Sequence, residues 1–252
     1  MLRLMRLYPL TLASTALLSL TLILGRDDAR AQNVDPAEAF APPAVTEYLG
    51  RTVAQTMHWS GSGWLIRHKR EREEAASLMR EKLELKPGMV VCDLGCGNGY
   101  HTFPMGRAVA PGGKVYGVEI QEPYLRMLEE GAVKAGVTNF VPVLGKLYDP
   151  GLPDATFDLM LLVDVYHEFS HPEQMLSAMH KALKPDGVVV LVEFRAEDDT
   201  VPIKPEHKMT KAQIDKEMTA NGYKLVKSFD GLPWQHMLWY GKGESSGNPN
   251  KS

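Results

Sequence analysis

Cysteine is scarce in this chain: two residues in 252, Cys92 and Cys96, both inside one glycine-rich stretch. A disulfide framework is thereby excluded, because a bridge across so tight a turn would distort it. Both read as small packing residues. An excess of positive charge is also missing, with 28 Lys and Arg against 31 Asp and Glu, net −3. No basic stripe crosses the main part of the chain, so nucleic acid is not an expected partner. There is no internal repeat. Apolar residues make up 44%, enough for the core of one α/β domain with extensions.

The front of the chain reads as a targeting segment, residues 1–31. Arg3 and Arg6 supply a positive start, Leu7 to Gly25 is apolar with scattered Ser and Thr, and Ala29-Arg30-Ala31 fits a small-x-small cleavage site. This predicts export to the periplasm or beyond. An uncleaved membrane tether through residues 7–25 is the alternative, since about 19 apolar residues barely span a bilayer. Without residues 1–31 the chain holds 24 basic against 29 acidic residues.

Residues 32–86 read as a linker and an N-terminal helical cap. Gln32 to Pro43 is rich in Ala and Pro. Met57-His58-Trp59-Ser60-Gly61-Ser62-Gly63-Trp64 suggests a loop that must pack somewhere, either as a lid over a cavity or as a filler of an apolar groove. From Arg67 to Leu85 alternating charges precede Ala75, Leu78, Met79 and Leu83 at helical spacing. That predicts one amphipathic helix with a solvated charged face.

From residue 87 to 242 strand and helix patterns alternate, as in a doubly wound, mostly parallel sheet. Strands are predicted at Met89–Cys92, Lys114–Glu119, Phe140–Leu144, Phe157–Val163, Val188–Glu193, Lys224–Phe229 and Met237–Gly241. Thr210 and Gln213 are spaced as a capping box for a helix from Lys211. Residues 243–252 read as a disordered polar tail.

The first of these strands runs into Asp93-Leu94-Gly95-Cys96-Gly97-Asn98-Gly99. Glycines at every second position mark a tight turn where backbone takes positive φ or approaches a ligand. The dinucleotide fingerprint is excluded, because its third glycine would fall on Tyr100. An acid ahead of the glycines suits a cationic amino group and would repel a pyrophosphate. The next strand also ends in an acid, Glu119, placed to accept both hydroxyls of a ribose.

On these residues the chain resembles the class I S-adenosylmethionine-dependent methyltransferases, over roughly residues 85–242. The resemblance implies a seven-stranded Rossmann-like sheet with an antiparallel last strand, here with an N-terminal helical extension. It implies S-adenosyl-L-methionine as cofactor and methyl transfer to a small-molecule or protein acceptor. Gly95, Gly97 and Gly99 would approach the methionine part, Asp93 would balance its amino group, Glu119 would hold the ribose, and Ile120 would lie against the adenine. Such enzymes often carry an acid after the third strand that contacts the adenine amino group; here that place holds Lys146, with a backbone group or Asp149 as a substitute.

After the fourth strand comes Asp164-Val165-Tyr166-His167-Glu168-Phe169. Asp164 is a cofactor candidate, and His167 and Glu168 are candidates to take a proton from the acceptor. The alternative is that His167 caps the next helix and Glu168 is solvated. Tyr100, Tyr166, Arg195 and His236 are candidates to line the acceptor pocket, with His207 beside them. His167-Glu168-Phe169-Ser170-His171 also matches the zinc-peptidase pattern His-Glu-x-x-His, but Pro172 pushes His171 out of a continuing helix. No metal site is expected. Three readings remain: methyltransferase, nucleoside-binding protein without turnover, and metallopeptidase, with the intact acid–glycine–acid set favouring the first.

Overall fold

The computed structural model describes residues 41–243. The expected targeting segment, residues 1–31, and nearly all of the expected tail lie outside them. Among the described residues no helix is long and apolar enough to cross a membrane.

Among the described residues, ten strands and six α-helices follow in chain order. β1 (Glu47–Tyr48) and β2 (Arg51–Thr52) form a small hairpin, and a 3₁₀ helix covers Trp59–Ile66. Then come α1 (Arg70–Glu74), α2 (Ala76–Lys82), β3 (Val90–Leu94), α3 (Thr102–Val109), β4 (Lys114–Glu119), α4 (Glu122–Ala135), β5 (Phe140–Leu144) and β6 (Phe157–Val163). A 3₁₀ turn (Tyr166–Glu168), α5 (Pro172–Ala182), β7 (Leu183–Arg195), a second 3₁₀ turn (Pro205–His207), β8 (Lys208–Met209), α6 (Lys211–Ala220), β9 (Tyr223–Phe229) and β10 (Gln235–Lys242) complete it.

All seven expected strands join one sheet in the order β5-β4-β3-β6-β7-β10-β9. β10 is antiparallel to both its neighbours, and the pairs among the other five, β5 through β7, are parallel. An eighth, two-residue strand, β8, adds to the end of β7. Period-two side-chain alternation splits the core into two layers. Cys92, Met160, Leu162, Val189 and Leu191 pack with Met175, Leu176 and Met179 of α5 and Ile214 and Met218 of α6. Val91, Leu159, Leu161, Val190 and Val192 pack on the other face with Met79 of α2 and Met105 of α3. Each of these aliphatic and methionine side chains stabilises the fold by about 1.5–3 kcal/mol through burial.

Local signals set the helix ends. Pro123 lies in the first turn of α4, and Gly136 closes it in the left-handed conformation, φ 65°. Thr210 caps α6 by accepting the Gln213 N–H at 3.0 Å, but Gln213 sends its side chain to Glu217 rather than back, so only half of the box forms.

A larger expectation fails. The single charged helix of residues 67–85 is broken at Ala75, φ 48°, into α1 and α2. Its charged face is not wholly solvated either: Arg70 and Glu74 are buried, 5% and 2% exposed. The break turns α1 inward, so its i,i+4 ion pair faces protein.

Candidate active site

Parallel strands leave their carboxyl ends on one edge of the sheet, the place where ligands bind in such folds. A cavity of about 590 Å³ opens there, beyond β3, β4 and β6. Residues 55–65 wall its outer side. Trp59 N–H donates to Gln121 Oε1 at 2.9 Å, Gln121 Nε2 donates back to the Met57 carbonyl at 2.9 Å, and Met57 N–H donates to Glu168 Oε1 at 3.3 Å. This ties the tryptophan segment across the mouth, with Met57, Trp64 and Leu65 facing inward.

Eight predicted residues line this cavity: Gly95, Gly97, Glu119, Ile120, Asp164, His167, Glu168 and His207. Glu119 accepts N–H bonds from Ile120 at 2.7 Å, Gln121 at 3.1 Å and Gly97 at 3.3 Å. Burial nonetheless holds its carboxyl above the usual range. Beside it the hydroxyl of Tyr124, a cavity-lining residue, is buried and finds no partner among the described residues. Asp164, at the end of β6, adopts φ 54°, uncommon outside glycine. Burial raises its carboxyl well above the ordinary range, and the carboxylates of Glu74 and Glu193 raise it further.

His167 donates or accepts at both ring nitrogens. Nδ1 lies 2.6 Å from Oε2 of Glu193, and Nε2 lies 3.0 Å from Nδ1 of His207. Burial disfavours its cation, but Glu193 outweighs that and leaves the imidazole raised. Glu168 is pushed up to about 7, chiefly by burial. His207 is lowered by burial and by His167.

Other predicted residues fall outside the cavity wall. Asp93 is buried behind the glycine turn, where its Oδ2 accepts the Thr102 hydroxyl at 2.6 Å. Gly99 faces the core: a Cβ there would come within 2.5 Å of Phe103 and 2.6 Å of Leu128. Tyr100 carries the Arg70 guanidinium on its ring at 4.2 Å. Tyr166 is fully buried, its hydroxyl on Glu217 at 2.7 Å. Arg195 spends donors on the carbonyls of Leu232 at 2.7 Å and Gln235 at 3.1 Å, tying β7 to the start of β10 and the loop before it. His236 pairs with Glu197 at 2.7 Å. Asp149 turns back to accept the Gly151 N–H at 2.8 Å, whereas Lys146 does line the cavity. His171 is turned away from His167, bonding the Pro42 carbonyl at 2.8 Å, and α5 starts at Pro172, so the His-Glu-x-x-His pair is not assembled.

Cavity residues that escaped the sequence reading include Tyr124, Arg70 and Glu74. Arg70 donates to Glu74 at 2.6 Å and to the Leu65 carbonyl at 2.7 Å, and both Arg70 and Glu74 line the cavity. Their i,i+4 spacing was visible, but only the turn at Ala75 decides that they point inward.

Residues 85–241 match the family model described as a methyltransferase domain. The chain belongs to this methyltransferase domain family. It is 30% identical over 116 residues to nocamycin O-methyltransferase of Saccharothrix syringae, covering 46% of this chain and 41% of that protein. It is 26% identical over 136 residues to the demethylmenaquinone methyltransferase of Geobacillus stearothermophilus, covering 54% and 58%. The chain thus spans about half the length of these curated relatives. Its fold matches a solved S-adenosylmethionine-dependent methyltransferase of Aquifex aeolicus with TM-score 0.69 and 21% identity, over 73% of this chain and 98% of that one.

The cavity of this methyltransferase-family chain fits S-adenosylmethionine on its donor set. Acids at Glu119, Asp164 and Glu74 suit a ligand carrying ammonium and sulfonium charges, Arg70 suits its carboxylate, and the unpartnered Tyr124 hydroxyl offers a polar contact near Glu119.

Proposed function

We propose that the protein is an S-adenosylmethionine-dependent methyltransferase acting on a small-molecule or protein acceptor, and that it works after export. The observation that carries the catalytic part is the convergence of Glu119, Gly97, Tyr124 and Asp164 on one cavity that continues to His167 and Glu168. S-Adenosylmethionine, when bound, supplies a methyl group on sulfonium sulfur, electrophilic enough that alignment does most of the work. Glu119 and Tyr124 hold the ribose end. Gly95 and Gly97 let the backbone approach the methionine part, and Asp164 and Arg70 offer opposite charges to its ammonium and carboxylate.

The acceptor lies between the tryptophan segment and the wall of His167, Glu168 and His207. A relative named for O-methylation supports an oxygen nucleophile. Hydrogen-bonded through Nδ1 to Glu193, His167 holds Nε2 on the cavity wall against His207 Nδ1 at 3.0 Å, and it takes the acceptor's proton there when the acceptor hydroxyl displaces His207, with Glu168 next to it. The leader of residues 1–31 supports export, either cleaved or as a tether.

Calorimetric titration of the full-length protein with S-adenosylmethionine tests the reading. Binding near one per chain is expected, weakened at least about tenfold in Glu119→Ala by loss of a charge-assisted contact. No binding by the unaltered protein overturns it.

A further inference from the structure

Three side chains from two separate 3₁₀ turns meet at one point of the cavity wall: His167 and Glu168 from the first, His207 from the second. His167 Nε2 lies 3.0 Å from His207 Nδ1 and 4.0 Å from Glu168 Oε1, and one ligand atom of each falls within 4.8 Å of the others. Ligands about 2.0–2.2 Å from a zinc-like ion stand roughly 3–3.6 Å apart. The set closes around an ion if the Glu168 arm swings in by roughly 1 Å, giving up the long 3.3 Å bond that its Oε1 accepts from the Met57 N–H.

The surroundings of His167 point the same way. Metal-ligating histidines regularly give their second ring N–H to a carboxylate, which fixes tautomer and orientation. Here Glu193 does so at 2.6 Å, from a fully buried position on β7. Its other oxygen is held by the Tyr166 N–H at 2.8 Å, so the carboxylate cannot turn away. With Nδ1 donating, the Nε2 lone pair faces His207 and the cavity. The three donors sit on one wall, and the cavity offers the remaining coordination positions to a ligand, as in open catalytic metal sites.

We propose that His167, Glu168 and His207 bind one divalent transition-metal cation, with Glu193 as the supporting carboxylate. Two imidazoles and a carboxylate suit zinc, iron, cobalt or manganese rather than calcium. Binding of the cation does not depend on methyl transfer. What it does there rests on the methyltransferase reading, which it sharpens: the acceptor carries an oxygen donor that can ligate the ion. The ion lowers the pKa of a hydroxyl on that acceptor and its proton leaves to solvent. The oxygen lone pair then forms the new C–O bond while the C–S pair stays on sulfur. Because the cation uses the Nε2 lone pair, the loaded form does not need His167 as a base; the empty form does.

The test uses full-length protein stripped with a chelator and titrated with Co(II), followed by visible absorption and elemental analysis. About one Co(II) per chain is expected, with ligand-field bands that Zn(II) abolishes. His207→Ala and Glu168→Gln should each weaken binding at least about tenfold, and Glu193→Gln by roughly 10–100-fold. His171→Ala should bind like the unaltered protein. His207 is partly exposed on a turn, so its removal leaves the fold intact, which S-adenosylmethionine titration of each variant checks. The proposal is overturned if the unaltered protein takes up no more Co(II) than His207→Ala, or if His171→Ala loses the ion while His207→Ala keeps it. Co(II) uptake without S-adenosylmethionine binding would sink the methyl-transfer reading and leave the metal site standing; the converse would do the reverse.

Discussion

One amide nitrogen, Nε2 of Gln235, holds both carboxylate oxygens of Asp164, at 2.8 and 3.0 Å. A neutral amide orients that carboxylate without neutralising it. Burial and the neighbouring Glu74 and Glu193 carboxylates leave Asp164 short of positive charge, the condition in which a ligand ammonium gains most. Asp164→Asn should therefore weaken S-adenosylmethionine binding roughly 10- to 100-fold, a charge-assisted hydrogen bond of about 1.5–3 kcal/mol. The ligand-free protein should meanwhile become more stable. Calorimetry and thermal melts read both effects, and unchanged affinity would remove Asp164 from the binding set.

Gly97 and Gly99 differ in what a side chain would meet. At Gly97, φ 53°, a Cβ would come within 2.5 Å of Leu65 Cδ1 in the cavity wall. At Gly99, φ 88°, it would strike Phe103 and Leu128 in the interior. Gly97→Val should abolish measurable cofactor binding, since a branched residue is strained at this φ and occupies the ligand's space. Gly99→Ala should cost about 1–3 kcal/mol of stability through overpacking and leave affinity nearly unchanged in the folded protein. Denaturant midpoints and titrations on both variants check the split; a pure binding defect in Gly99→Ala would refute it.

The strands and glycine turn were legible because period and punctuation depend on neighbours in sequence. Asp93, the glycines and Glu119 announced a ligand at the strand ends for the same reason. What stayed hidden depends on which way a chain turns. Arg70 and Glu74 have the spacing of a solvated ion pair, and only the left-handed backbone at Ala75 aims them inward. Gly99 carries the same spacing signal as Gly97, yet meets Phe103 and Leu128 of its own flanking helices. Glu193 looks like the end of a buried strand, and its partner His167 lies 26 residues away. Such long-range pairings leave no mark in a local window.

Tyr166 is the clearest case of a site candidate with a structural post. Its hydroxyl donates to Glu217 at 2.7 Å, and the same buried carboxylate takes Arg51 at 2.7 and 3.1 Å. Arg51 in turn donates to the His167 carbonyl at 2.9 Å, so this cluster braces the turn that carries the candidate base. Tyr166→Phe should lower stability by about 1–2 kcal/mol and leave cofactor affinity unchanged. Arg51→Met, which strands the carboxylate, should cost about 3–5 kcal/mol. Urea midpoints decide it: equal losses in the two variants would contradict this ranking.

Asp93 gives the ligand-free protein a pH dependence of definite sign. The carboxyl is buried, and that burial raises it from 3.8 to about 6, against the pull of Thr102 and Arg70 and with a push from Glu119. An acid whose folded pKa lies above its unfolded value binds its proton more tightly in the folded state. Below about pH 4 the group is protonated in both states, so its ionisation costs the fold nothing. Between about pH 4 and 6 the unfolded chain ionises first, and stability falls as pH rises. Above that the full cost remains, about 3 kcal/mol at roughly 1.4 kcal/mol per pH unit. Asn at this position stays neutral and can still accept the Thr102 hydroxyl. Asp93→Asn and the unaltered protein should therefore have similar urea midpoints near pH 4, with the variant gaining an advantage that grows to about pH 6 and then holds. Other groups titrate in the same range, but they are common to both proteins and cancel in the difference. A constant difference across this range, or a variant less stable at pH 8, would show that Asp93 is stabilised in its charged form by contacts stronger than its burial.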